Sequence, residues 1–169
     1  MQRREDRSEV RVPAAIETLA RATVHAALTV HRALGPGLLE SAYHECLAIE
    51  LTLAGLQVQR EQLLPLNYRG HAIPHAYRLD LLVNGRLLLE LKAIEALQPI
   101  HRVQVATYLR LLRLPLGLLI NFNVPLIKDG ITRVLNLDFR GATETPTDAP
   151  TPLPARPFAP TLAPSPLRA

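Results

Sequence analysis

Three charged residues stand inside two greasy stretches of this chain, and their types suit one kind of chemistry. In "YRLDLLVNGRLLLELKA", Tyr77 to Ala93, Asp80 interrupts the first apolar run, and Glu90 and Lys92 interrupt the second. Charges are rarely buried alone, because taking them out of water is expensive. Two carboxylates a few ångströms apart repel each other unless a proton or a cation lies between them. Short-range oxygen ligands suit a hard divalent cation, Mg²⁺ or in its place Mn²⁺. Such an ion polarises a phosphoryl oxygen and lowers the pKa of a bound water. A lysine two residues from the glutamate projects to the same side of a strand. There it orients the attacking water or stabilises charge that builds on a phosphate.

This chemistry demands a particular turn. If Asn84 and Gly85 made a plain two-residue hairpin, Asp80 would face Leu89 and Glu90 would face Leu79. Adjacent positions point to opposite faces, so the carboxylates would diverge. One extra loop residue, or a bulge, pairs Asp80 with Glu90 and aligns both with Lys92. The sequence therefore predicts a three-residue loop or a bulge at "VNGR".

The lysine stands out against its background. The chain has 169 residues and a net charge of +4, with 17 arginines but only two lysines, Lys92 and Lys128. Arginine does not replace lysine where a compact, titratable charge is needed. The basic balance permits a nucleic-acid partner without requiring one. Aromatic residues are 4% of the chain, so the core must rest on aliphatic side chains, and little is on offer for base stacking. Cys46 is the single cysteine, which excludes an internal disulfide and a cysteine-built zinc site. No apolar run is long enough to span a membrane, and "MQRREDRSEV" has no signal-peptide core, so a cytoplasmic location is expected.

The elements that must carry these residues are legible. "AAIETLARATVHAALTVHRAL" has an apolar stripe at helical spacing and ends at "GPG". "LLESAYHECLAIELTLAG" is a second helix with Gly55 as its cap. "LQVQREQLLPLNYRG" reads as a strand, with Pro65 marking an edge or bulge. Residues 75–83 and 86–93 are two more strands, and the three form an antiparallel meander. "QPIHRVQVATYLRLLRL" is a helix that crosses over to deliver the strand "LGLLINF" into the same sheet. "ITRVLNL" is a last strand after the "KDG" turn. The result is a mixed α/β sandwich. Residues 1–13 form a flexible N-terminus and 14–138 the domain. Residues 139–169 are a tail rich in Pro, Ala and Thr, expected to be disordered because it cannot bury enough apolar surface.

These motifs together resemble a known family. Asp80, nine residues, then Glu90-Leu91-Lys92 is similar to the PD-(D/E)XK nuclease signature, with Arg78-Leu79-Asp80 where a Pro-Asp might stand. "GLLESAY", Gly37 to Tyr43, resembles the signature of the GxxExxY proteins, a branch of that superfamily. "HRVQVATYLRL" and "LGLLINFNVPLIKDGITRV" resemble its later blocks. The resemblance implies a restriction-endonuclease-like core, with the mixed sheet, its meander and its crossover helix flanked by helices. It implies Asp80 and Glu90 as metal ligands, joined by a carbonyl near Leu91, with Glu40 completing the site and Lys92 as the catalytic lysine. It adds Gln104 and Tyr108, whose i, i+4 spacing places them on one helix face, with His101 one turn earlier.

The activity implied is Mg²⁺-dependent hydrolysis of phosphodiester bonds, on DNA in preference to RNA, with no membrane partner. A minimal core leaves room for a homodimer or a protein partner. The alternative is a silent relative that binds nucleic acid or a protein and cuts nothing. Several residues read as ordinary structure. Tyr43 suits core packing with a polar tip. Pro74 breaks any helical pairing of His71 with His75, and His25, His31 and His44 show no partner spacing. Asn121 and Asn123 suit local hydrogen bonds that fix a loop.

Overall fold

A computed structural model describes residues 11–139. Most of the expected flexible N-terminus and nearly all of the expected tail lie outside the described residues. Helix α1 (Ala14–Leu34) buries Ile16, Leu19, Ala20, Ala27 and Val30 along its apolar stripe. It stops where Gly35 takes a positive φ of 68°. Helix α2 (Glu40–Leu53) follows. Tyr43 fixes the link between them. Its hydroxyl donates to the Gly35 carbonyl at 2.7 Å and accepts the Leu38 N–H at 3.2 Å. Its ring is fully buried and stacks on Phe122 at 4.5 Å. This anchor sets the first turn of α2, and hence Glu40.

The main sheet has five strands in the order β1 (Val58–Arg60), β4 (Leu81–Val83), β5 (Leu87–Lys92), β6 (Leu116–Asn121) and β7 (Ile131–Leu135). β1, β4 and β5 form the antiparallel meander. Helix α3 (Pro99–Leu112) then crosses over, and β6 joins β5 in parallel. Helices α1 and α2 cover one face through Leu81, Leu87, Leu89 and Leu91. Helix α3 covers the other through Leu79, Leu88 and Leu119. A strand covered on both faces needs an unbroken apolar run, which explains the leucines around Glu90. α3 can sit close because Gly117 lies beneath it: a Cβ there would come within 2.8 Å of the Val105 side chain.

Two expected strands are bent rather than straight. β2 (Leu63–Tyr68) and β3 (His71–Arg78) form a separate hairpin inserted between β1 and β4. The pairing runs through the joint, since Glu61 N–H donates to Asp80 O and Leu79 N–H to Gln62 O. Glu61 has a positive φ of 48°, which turns the ribbon there. A local backbone twist of this kind leaves no mark in an apolar pattern. The pairing also shifts between Leu64 and Leu66, so Pro65 sits at an irregularity as anticipated. The expected "KDG" turn is a short helix, α4 (Ile127–Gly130).

Candidate active site

The turn has its extra residue. Val83 pairs with Leu87, Leu82 with Leu88 and Leu81 with Leu89, leaving Asn84, Gly85 and Arg86 in the loop. Asn84 and Gly85 both take positive φ, at 50° and 64°, and Arg86 N–H closes the turn onto Val83 O. The same register carried one step further sets Asp80 opposite Glu90. Asp80 itself lies at the bend just before β4. Its Oδ2 accepts the backbone N–H of Leu91 at 2.8 Å, which locks its carboxylate against β5.

Glu90 and Lys92 form the buried half of the site. Glu90 is only 2% exposed. Its Oε1 accepts a hydrogen bond from Lys92 Nζ at 2.6 Å, and its Oε2 has no partner. Lys92 Nζ also donates to the Leu91 carbonyl at 3.0 Å. Burial, the nearby charge of Asp80 and the more distant charge of Glu40 push the Glu90 carboxyl up to about 7, against the pull of Lys92. Burial alone would lower Lys92. The hydrogen bond and charge of Glu90, with Asp80 and Glu40, outweigh it and hold the ammonium above its ordinary value. Lys92 is therefore a cation at neutral pH.

Glu40, His44 and Asp80 form the more open half. They offer ligand atoms that all lie within 4.8 Å of one another, the one such group among the described residues. His44 Nε2 stands 3.4 Å from Asp80 Oδ2. The expected ligand trio was Asp80, Glu90 and Glu40. The structure brings all three to one region, but Glu90 is tied to Lys92 while His44 takes a place in the tight group. His44 was set aside in the sequence as having no partner spacing, although Glu40 stands four residues earlier on the same helix face. That spacing was the available signal, and it gains meaning only once Asp80 is folded against it.

Gln104 and Tyr108 flank this centre on α3. Gln104 Nε2 donates to the Tyr108 hydroxyl oxygen at 2.8 Å. Burial raises the Tyr108 phenol, and the charges of Glu90 and Asp80 raise it further against the Gln104 hydrogen bond. The hydroxyl thus keeps its proton and remains a donor. His101 does not join them: its Nδ1 accepts the Gln98 N–H at 2.9 Å at the start of α3. Asn121 supports the end of β5 from the adjoining strand. Its side chain donates to Ile94 O at 2.8 Å and accepts Ile94 N–H at 3.1 Å.

The donor set fits a divalent cation. Carboxylates and an imidazole converge at one point, and a buried carboxylate oxygen beside them lacks a partner. The imidazole broadens the choice beyond Mg²⁺, because nitrogen ligands suit Mn²⁺ and other transition ions better.

A mixed sheet with a meander, a crossover helix and carboxylates gathered at the meander's bend defines a restriction-endonuclease-like α/β fold. The chain belongs to the PD-(D/E)XK nuclease superfamily, whose family model matches residues 17–134. No curated protein and no solved structure gives a significant match. Among the described residues, no helix is long and apolar enough to cross a membrane.

Proposed function

We propose that this protein is a divalent-metal-dependent nuclease that hydrolyses phosphodiester bonds, with DNA as its preferred nucleic acid. The observation that carries the reading is the pairing of a buried, half-satisfied Glu90 with the open Glu40, His44 and Asp80 group. An unpartnered buried carboxylate oxygen near three converging ligand groups supports a cation site. In this reading Asp80 and Glu90 hold the metal, with Glu40 and His44 completing the set. When bound, Mg²⁺ or Mn²⁺ would polarise the scissile phosphate and acidify a water.

The chain's own groups do the rest. Lys92, hydrogen-bonded to Glu90, is placed to stabilise growing negative charge and to orient the nucleophile. Tyr108 has its hydroxyl oxygen occupied by Gln104, which leaves the O–H to donate toward a phosphate oxygen. Asp80 is held in place by the Leu91 amide. Tyr43 sets Glu40 by fixing the link before α2.

The test is cleavage of varied single- and double-stranded DNA and RNA by purified protein with Mg²⁺ or Mn²⁺, beside Asp80→Ala and Lys92→Ala. Metal-dependent cutting that both variants lose is the expected result. No cutting on any substrate, with no metal bound in calorimetry, would leave the silent binding module as the reading.

A further inference from the structure

Away from the candidate site, the β2–β3 hairpin is the least supported part of the described chain. Its strands pack chiefly against each other, and an isolated two-stranded hairpin is marginal in water. Exposed ribbons are commonly blunted by charge, proline or bulges, and Pro65 and Pro74 do so here. Here residues 62–79 contain no Asp or Glu, and their arginines are Arg69 at the tip and Arg78 at the base. Arg78 stands 3.8 Å from Glu61, so the ribbon's free positive charge lies at its tip, where Arg69 complements a polyanion.

One face of the ribbon has an order. Cross-strand partners share a face, as do alternate residues along a strand. Leu64 stands opposite Tyr77, Leu66 opposite Ile73, and Tyr68 opposite His71. Exposure rises outward, from 7% at Leu64 to 43% at Ile73 and 59% at Tyr68. The inner end meets the candidate site, where Tyr77 contacts Tyr108 edge-on at 5.6 Å. Of the chain's four tyrosines, Tyr43 and Tyr108 are buried, Tyr77 packs against the Tyr108 cluster at the inner end of the arm, and Tyr68 is exposed near its tip. At the tip, the Arg69 guanidinium lies 5.7 Å from the centre of the Tyr68 ring.

We propose that this face of the β2–β3 arm is a stacking platform for an unpaired polynucleotide strand, which it leads toward the Tyr108 edge of the candidate site. The class of ligand rests on the nuclease reading above. Outward of the irregularity at Pro65, the Leu66–Ile73 and Tyr68–His71 pairs lie one two-residue step apart, roughly 6.6 Å, and offer two successive seats for bases. Stacking uses the face that every base exposes only when unpaired. A duplex keeps its base faces stacked inside and offers this surface none of them. Arg69 supplies the cation that a phosphate needs at the tip.

The intact chain is titrated, in chelator so that nothing is cut, against labelled oligothymidylate, oligouridylate and a blunt DNA duplex, with anisotropy as the readout. Single strands should bind more tightly than the duplex, and the two oligomers tell which sugar is preferred. Tyr68→Ala should weaken strand binding about tenfold, whereas Tyr68→Phe keeps the ring and should stay near wild type. Ile73→Ala, on the same face, is a second variant should Tyr68→Ala disturb folding by circular dichroism. Strand binding unchanged in both alanine variants overturns the proposal. So does tighter binding of the duplex, or self-association through the arm with no strand bound. The two readings fail separately. A chain that binds strands through Tyr68 but never cuts sustains the arm and refutes the nuclease. One that cuts with Mg²⁺ yet binds strands without need of Tyr68 or Ile73 does the reverse.

Discussion

The two halves of the candidate site are held in opposite ways. Glu90 and Lys92 sit on a central strand, sealed between helices and paired with each other. Glu40, His44 and Asp80 are partly buried, with His44 and Asp80 side chains 14% and 15% exposed, and their ligand atoms face one another. Charge in the sealed half is costly and is governed by burial. Charge in the second half is set by how its three groups face one another. The difference means that substitutions in the first half should act through electrostatics, and those in the second through metal affinity.

The largest expected effect lies in the sealed half. Lys92→Met should lower the rate of cleavage by about 10²–10³-fold, with little change in KM, because the charge it stabilises develops in the transition state. Single-turnover kinetics would check this, and a loss confined to KM would break the assignment.

Next is the pH dependence of stability in chelator. The folded chain binds the Glu90 proton more tightly than the unfolded chain does, since its carboxyl is pushed from 4.5 up to about 7. That contribution is full below about 4.5 and is lost as pH rises through about 7. It amounts to at most about 3 kcal/mol. Urea unfolding of wild type should therefore show falling stability across this window, and Glu90→Gln should flatten the curve. An unchanged slope in the variant would mean that Glu90 is not the group responsible.

In the open half, His44→Ala should weaken Mn²⁺ binding by at least about tenfold and Mg²⁺ binding less, as measured by calorimetry, because only the softer ion gains from an imidazole. Equal losses for both ions would place His44 outside the ligand set.

The smallest effect belongs to the scaffold. Tyr43→Phe keeps the buried ring but leaves the Gly35 carbonyl and Leu38 amide without their partner. It should cost about 1–2 kcal/mol in denaturant unfolding. A cleavage rate that falls further than stability would show that Tyr43 also positions Glu40.

The candidate site was legible wherever it depended on spacing along the chain. Asp80, Glu90 and Lys92 announced themselves as charges in apolar runs. Strand alternation then required the extra loop residue that Arg86 supplies. Gln104 and Tyr108 were readable as neighbours because four residues span one helical turn. The bend at Glu61 and Asp80 was not readable, since a single left-handed residue changes the direction of a ribbon without changing its apolar pattern. The aromatic track on the arm was hidden for a related reason. A low aromatic content says nothing about whether the few rings fall on one face.

Local periodicity and the rarity of buried charge thus sufficed for the α/β class, the sheet's meander and most residues of the candidate site. Only the folded chain could choose which of those residues meet. That His44 stands beside Asp80 depends on how α2 packs against β1 and β5. Which face of the hairpin continues toward Tyr108 depends on how β3 enters the bend. Both are set by contacts between segments far apart in the chain, and no spacing rule within one segment carries that information.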